Sequence, residues 1–214
     1  MFPDIARAIQ EIALLLVPVL MGVTFHEVAH GYVANWLGDP TARLAGRLTF
    51  NPLKHLDPIG ALAFLLTRMI GWAKPVPVNP RYFRDPARGM MLVALAGPAM
   101  NVALAIGFAL LIRLIEYAAM GVVPDSAAYR ILAPLAYICA AGVQVNLALA
   151  VFNLLPIPPL DGSNVLAAFL PPPLADRYMS FGRWGFIALL LLAVTGILGR
   201  LIMPLVSFFT HVLL

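Results

Sequence analysis

Residues 12–37 read IALLLVPVLMGVTFHEVAHGYVANWL, an apolar run that contains two histidines and a glutamate. A helix that spans a membrane needs about 20 predominantly apolar residues, so this run predicts the first span. An ionisable group inside such a helix makes insertion into the bilayer less favourable, which marks it as a candidate for function. The candidates here are His26, Glu27 and His30, and the alternative is that they only form hydrogen bonds to neighbouring helices.

The composition of the whole chain indicates an integral membrane protein. Of its 214 residues, 62% are hydrophobic and 11% are charged, and the mean hydropathy is +0.91. Soluble domains are about 45–50% apolar and about 25% charged. The length allows one membrane domain, expected over residues 1–214. The net charge of +4 does not indicate nucleic-acid binding, because lysine and arginine in membrane proteins mostly mark the cytoplasmic loops. We therefore expect the lipid bilayer as a partner and no nucleic acid.

Uncharged runs predict four membrane spans, at about 12–37, 90–112, 131–155 and 184–199. A proline cluster ends the third span, and the apolar tail over residues 201–214 is short enough to lie at the interface or to re-enter. Asp4 and Glu11 stand where a cleavable secretory signal carries basic residues, so the first helix is expected to stay.

Between the first two spans the sequence pattern changes period. Over residues 42–50 apolar and polar side chains alternate, which predicts a β-strand with an edge that could pair with an unwound substrate. Residues 74–80, KPVPVNP, should be extended because prolines cannot donate to a ladder, and residues 59–70 suggest a re-entrant or interfacial helix. The predicted fold is an all-α polytopic membrane protein with about four transmembrane helices, re-entrant or interfacial segments, and a small β element within about residues 41–80.

The basic residues predict an orientation. More than half of them lie within residues 38–89, namely Arg43, Arg47, Lys54, Arg68, Lys74, Arg81, Arg84 and Arg88. The positive-inside rule then puts this segment in the cytoplasm and the N-terminus outside.

The polar residues of the first span fit the pattern H-E-x-x-H, with His26, Glu27 and His30. On a helix, two histidines four positions apart lie one above the other on one face. That spacing lets both imidazoles reach one Zn²⁺ ion, with Glu27 close enough to act on a water molecule.

A catalytic zinc usually takes three protein ligands, so a third is expected among the few other intramembrane polar residues. The best candidate is Asp161, which follows the proline-broken end of the third span, near the expected depth of His30. Broken backbone at that depth is tolerated where it lines a cavity. Taken alone, Pro-Leu-Asp-Gly would be an ordinary turn.

Three motifs together resemble the site-2 protease family of intramembrane zinc metalloproteases, peptidase family M50. They are H-E-x-x-H at residues 26–30, AGPAMN at residues 96–101 and N-x-x-P-x-P-P-L-D-G at residues 153–162. The resemblance covers about residues 14–168. The chain is similar to the short members, because no PDZ insertion separates the second and third spans and no cystathionine-synthase-like domain is expected at the C-terminal end.

The resemblance implies a role for each matched residue. One zinc ion would be bound by His26, His30 and Asp161. Glu27 would be the general base that deprotonates the attacking water and then protonates the leaving amine.

The resemblance also implies roles for two asparagines. Asn153 would stabilise the oxyanion that forms on the scissile carbonyl, and Asn101 would hold the substrate backbone or orient a ligand. The alternative for both is an interhelical hydrogen bond, and Gly97 is expected to serve close helix packing. His55 and Asp57 form an H-x-D that could reach the metal, gate the site or cap a turn.

The expected function is a zinc endopeptidase that cuts single-span membrane proteins within or near their transmembrane segments, in a bacterial inner membrane. The alternatives are an intramembrane metal or proton transporter, since intramembrane ionisable residues also line ion pathways, and a catalytically silent membrane scaffold. Transporters usually carry inverted repeats, and the sequence shows no internal repeat.

Overall fold

The structure is a computed structural model that describes residues 2–60, 73–124 and 126–214, apart from the side chains of residues 2–11 and 183. The helices described are α1 (Phe2–Trp36), α2 (Thr41–Leu44), α3 (Pro86–Ala119), α4 (Ala127–Asn153), α5 (Asp161–Ala167), α6 (Pro172–Ser180), α7 (Gly182–Val194) and α8 (Ile197–Leu213). Single 3₁₀ turns lie at Pro52–Lys54 and Pro80–Tyr82.

Among the residues that the structure describes, three helices are long and apolar enough to cross a membrane: Ile12–Trp36 of α1, α3 and α4. They lie where the first three spans were predicted. A fourth span results if α6 and Trp184–Val194, which are bent by 56° at their break, are counted as one. The chain is therefore a helical membrane protein, as predicted.

Local capping sets where the second and third long helices begin. Asp85 precedes α3, and its side chain accepts a hydrogen bond of 3.0 Å from the Arg88 N–H, while Pro86 takes the first helical position. Ser126 caps α4 in the same way through the Tyr129 N–H, at 3.2 Å. Both helices therefore begin before the predicted spans at 90–112 and 131–155.

The fourth predicted span, 184–199, is not one continuous helix. Helix α7 ends at Val194, and Gly196 adopts a left-handed conformation with φ of 73° before α8 begins. Glycine is the residue that adopts this conformation without steric cost, and it commonly ends a helix. The prediction of a helix through residue 199 was wrong, and the tail predicted as a short segment belongs to the 17-residue α8.

The β-strand predicted over residues 42–50 is also wrong, because a local side-chain contact favours a helical turn over the alternating pattern. Asp39 accepts hydrogen bonds from the N–H and the hydroxyl of Thr41, which starts α2. Gly46, with φ of 65°, then turns the chain. Within residues 2–60, 73–124 and 126–214, β pairing is limited to one antiparallel bridge between Leu56 and Ala73. The re-entrant helix predicted over residues 59–70 lies mostly outside the described residues.

The long helices pack around α3. It contacts both α1 and α4, and α8 adds Ile202 and Val206 to the core. A Cβ on Gly142 of α4 would fall 2.6 Å from the ring of Phe108, so glycine is what allows α3 and α4 to approach there. This packing holds the histidine face of α1 against α3.

Candidate metal centre

The structure brings the three predicted zinc ligands together. His26 and His30 lie one turn apart on α1, with their Nε2 atoms 2.9 Å from each other. Oδ2 of Asp161 lies 3.2 Å from the Nε2 of His26 and 3.4 Å from that of His30. Residues up to 135 positions apart along the chain thus present three potential ligand atoms to one point, all within 4.8 Å of one another.

Asp161 reaches the histidines because it is the first residue of α5. Helix α4 ends at Asn153, and the proline-rich turn that follows leads into α5, whose N-cap is Leu160. A Cβ on Gly162 would collide with the carbonyl of Leu154, so this glycine permits the start of α5 to pack on the end of α4. Asp161 and Gly162 are therefore the first two residues of a helix that packs against the end of α4.

Each histidine is oriented through its other ring nitrogen. His26 Nδ1 lies 2.7 Å from Oδ1 of Asn101, and His30 Nδ1 lies 2.7 Å from the carbonyl oxygen of Val93. Both partners are acceptors, so each Nδ1 carries the hydrogen and donates it. With Nδ1 as the donor, a neutral ring presents the lone pair of Nε2, which is the arrangement of metal-binding histidines.

A buried amide chain holds Asn101 in place. Its Nδ2 donates to the Gly22 carbonyl and to Oδ1 of Asn146, both at 3.0 Å, and Asn146 donates at 2.9 Å to the Gly142 carbonyl. These bonds fix which end of the Asn101 amide faces His26. Asn101 therefore contacts one of the predicted ligands, and substrate binding by Asn101 stays a prediction.

Asn146 was missed by sequence reasoning. It is fully buried, at 0% exposure, and lies in an apolar stretch of α4. The signal was present, since an isolated asparagine inside a membrane helix normally needs a polar partner there.

Gly97 gives the imidazole rings their space. It lies on α3 midway between Val93 and Asn101, and a Cβ there would stand 2.5 Å from the ring of His26 and 2.6 Å from that of His30. The prediction of close packing at Gly97 is confirmed, and the atoms that approach it are the rings themselves.

The residues present fit a zinc ion. Two lone pairs and a carboxylate oxygen face one another, and Oδ2 of Asp161 is buried without a hydrogen-bond partner. Three such acceptors repel each other unless a cation lies between them. Ligand atoms bound to tetrahedral zinc at about 2.0–2.1 Å are about 3.3–3.4 Å apart, close to the separations seen here.

Comparisons with known proteins show which family the chain belongs to. The model for peptidase family M50 matches residues 121–193, a range that includes Asp161. A protein named "Putative zinc metalloprotease YwhC", from Bacillus subtilis (strain 168), is 39% identical over 194 residues, which is 90% of this chain and 85% of that protein. The chain belongs to peptidase family M50. The resemblance first inferred from three motifs is confirmed.

Two other relatives of this M50 protein carry similar names. "Putative zinc metalloprotease Rip2" from Mycolicibacterium smegmatis is 31% identical over 193 residues, covering 89% of this chain and 70% of its own length. "Putative zinc metalloprotease MJ0611" from Methanocaldococcus jannaschii is 34% identical over 155 residues, covering 71% of this chain and 68% of its own length. No solved structure shows a significant match.

The remaining predicted site residues of the M50 protein lie in different surroundings. Glu27 is half-buried, and its Oε2 accepts a 2.8 Å hydrogen bond from the N–H of Val76. Asn153 donates through Nδ2 to the Leu149 carbonyl of its own helix, at 2.9 Å. That nitrogen carries a second hydrogen that remains for another acceptor.

His55 and Asp57 have structural contacts outside the metal group. His55 is 1% exposed, and its Nε2 donates to the Thr49 carbonyl at 2.8 Å. Asp57 accepts hydrogen bonds from the N–H groups of Ile59 and Gly60, and residues 58–60 are helical. Of the three predicted roles for this pair, the contacts of Asp57 match helix capping.

Proposed function

We propose that this M50 protein is a zinc endopeptidase of the site-2 type, which hydrolyses peptide bonds within or near the transmembrane segments of membrane proteins. The observation that carries the proposal is the meeting of three ligand atoms, two of which lie on a helix of membrane length. The names of its relatives, which describe zinc metalloproteases, support the same chemistry.

His26, His30 and Asp161 would hold the zinc ion through two imidazole nitrogens and one carboxylate oxygen. When bound, zinc supplies Lewis-acid chemistry, because it lowers the pKa of water and polarises a carbonyl group. Asn101 and the Val93 carbonyl keep the proton of each imidazole on Nδ1, so that both Nε2 atoms stay available as ligands.

Glu27 is the general base and then the general acid. Its carboxylate takes one proton from the attacking water as the new oxygen–carbon bond forms. It gives that proton to the leaving nitrogen as the carbon–nitrogen bond breaks, so the protons balance over the reaction.

Asn153 is proposed to stabilise the oxyanion. One hydrogen of its amide is used by the Leu149 carbonyl, and the second is the one that would be donated to the scissile carbonyl oxygen. Its position at the end of α4, directly before the turn that leads to Asp161, supports this role.

The proposed substrates are single-span membrane proteins in a bacterial cell membrane. A transmembrane helix satisfies its own backbone groups, so a segment must unwind before one of its peptide bonds can react. The concentration of basic residues within 38–89 supports a cytoplasmic position for that segment and an outside N-terminus. The strand edge first predicted over residues 42–50 is not formed and is no part of this proposal.

The test combines zinc content with cleavage of tagged single-span reporters in proteoliposomes. We expect about one zinc per wild-type chain, loss of zinc in Asp161→Ala, and loss of cleavage with zinc retained in Glu27→Gln. The matched controls are Asp176→Ala and Glu116→Gln, which change exposed acidic residues.

The proposal fails if zinc content does not depend on Asp161, or if cleavage does not depend on Glu27. Uptake of zinc or protons into the vesicles in the absence of cleavage would favour the transporter alternative.

A further inference from the structure

A proline-rich segment that the proposed mechanism does not use contacts the proposed base. This segment, residues 74–80, is named the proline strap. Its Val76 N–H donates a 2.8 Å hydrogen bond to Oε2 of Glu27, across 49 positions of sequence.

The strap is attached on both sides of Val76. Before it, the Lys74 N–H donates at 2.9 Å to the His55 carbonyl, and the Lys74 carbonyl accepts from the guanidinium of Arg47. After it, the Asn79 N–H donates at 2.7 Å to Oδ2 of Asp39, a carboxylate with 0% exposure. The Val76 N–H is therefore held between two fixed points.

The side chain of Val76 also fixes the position of the strap. It is 8% exposed and packs over α1 at Gly31, the residue next to His30. A Cβ on Gly31 would stand 3.2 Å from Cγ1 of Val76 and 2.6 Å from the side chain of Leu48, so the strap depends on glycine at this position.

The prolines make the strap stiff. Pro75, Pro77 and Pro80 fix φ at about −65° and restrict the residues before them to extended conformations. Prolines also carry no N–H, so Val76 is the one donor between Pro75 and Pro77. A rigid extended segment thus presents a single backbone donor to Glu27.

We propose that the Val76 N–H is a positioning group, which holds one oxygen of the Glu27 carboxylate so that the other faces the attacking water. The inference rests on the proposed function, because it takes Glu27 as the base. A glutamate has three rotatable side-chain bonds, and a hydrogen bond to one oxygen removes most of that freedom. Val76 acts through Glu27 and need not contact the substrate.

The test compares Val76→Pro with Val76→Ala. Proline keeps apolar bulk in a segment already rich in proline, but it removes the N–H and places ring carbon against Oε2. Alanine keeps the N–H and loses side-chain packing, so the difference between the two variants reports the replacement of the N–H donor by ring carbon at Oε2. We expect kcat of Val76→Pro about 10- to 100-fold below that of Val76→Ala, with similar KM and zinc content.

A second readout does not depend on activity. Hydrogen exchange at the Val76 amide, measured by NMR in detergent micelles, should be slow in the wild type and in Glu27→Gln, which keeps an acceptor. It should be faster in Glu27→Ala, which has none.

The outcomes separate this inference from the proposed function. If Glu27→Gln abolishes cleavage but the two Val76 variants have equal kcat, the positioning role is refuted and the protease stands. If Val76→Pro is more active than Val76→Ala, the strap blocks the base and the inference is also refuted. If Glu27→Ala leaves exchange at Val76 unchanged, the contact itself is refuted whatever the activity.

Discussion

Replacing Gly97 with alanine should disrupt the metal site while leaving the fold intact. The added Cβ would stand 2.5 Å from Cε1 of His26 and 2.6 Å from Cε1 of His30, where ordinary contacts begin at 3.4 Å. Each ring would therefore have to withdraw by about 1 Å, and a misplacement of that size can cost about 100-fold in rate.

The rings cannot withdraw freely, because their Nδ1 atoms are tied to Asn101 and to the Val93 carbonyl by bonds of 2.7 Å. Moving them breaks those bonds or separates the Nε2 atoms from Asp161. Loss of such supporting contacts typically lowers metal affinity by about 10- to 100-fold. We expect zinc affinity of Gly97→Ala to fall by about that factor, measured by competition with a chelator in detergent, together with a fall in cleavage.

Gly107→Ala is the matched control on the same helix. A Cβ there meets nothing within 4 Å, and alanine favours a helix over glycine at both positions. Both variants should therefore keep their helix content and thermal transition, and zinc affinity should fall in Gly97→Ala alone. Zinc affinity of Gly97→Ala equal to that of Gly107→Ala would refute the argument that Gly97 makes room for the histidines.

Two further predictions concern asparagines. Asn146→Leu should lower zinc affinity by about 10-fold, because Asn101 loses the partner that helps to hold it against His26; unchanged affinity in chelator competition would show that the Gly22 carbonyl suffices. Asn153→Leu should lower kcat by about 100-fold with zinc content unchanged, since an oxyanion donor acts on the transition state; a change in KM alone would count against that role.

Much of the metal site was predictable because its elements are local. The spacing of His26 and His30 already places them on one face of a helix, since the helical repeat is set by backbone geometry. The choice of Asp161 as third ligand rested on its place after the proline-broken third span together with the family resemblance, because helix periodicity says nothing about a residue so far along the chain. Asn146 and Val76 were not identified, because an amide in an apolar span and a backbone N–H give no sign of their partners.

The error over residues 42–50 arose because side-chain contacts overrode a local sequence pattern. Alternation over residues 42–50 is a weak preference, and the carboxylate of Asp39 overrides it by accepting two hydrogen bonds from Thr41. The same side chain binds Asn79 of the proline strap with its other oxygen. A local contact with Thr41 and a distant one with Asn79 together outweighed the alternating pattern.

The sequence by itself determined that the chain is a membrane protein and where its three long helices lie. It also determined that two histidines lie one turn apart on one helix face, with a glutamate beside them. Each follows from apolar run length or helical repeat, which act over a few turns of chain. Only the tertiary structure decided how Asp161, Gly97 and Asn101 meet those histidines and how Val76 meets Glu27. These contacts join segments that approach because glycines let helices pack closely and because buried polar groups must find partners where water is excluded.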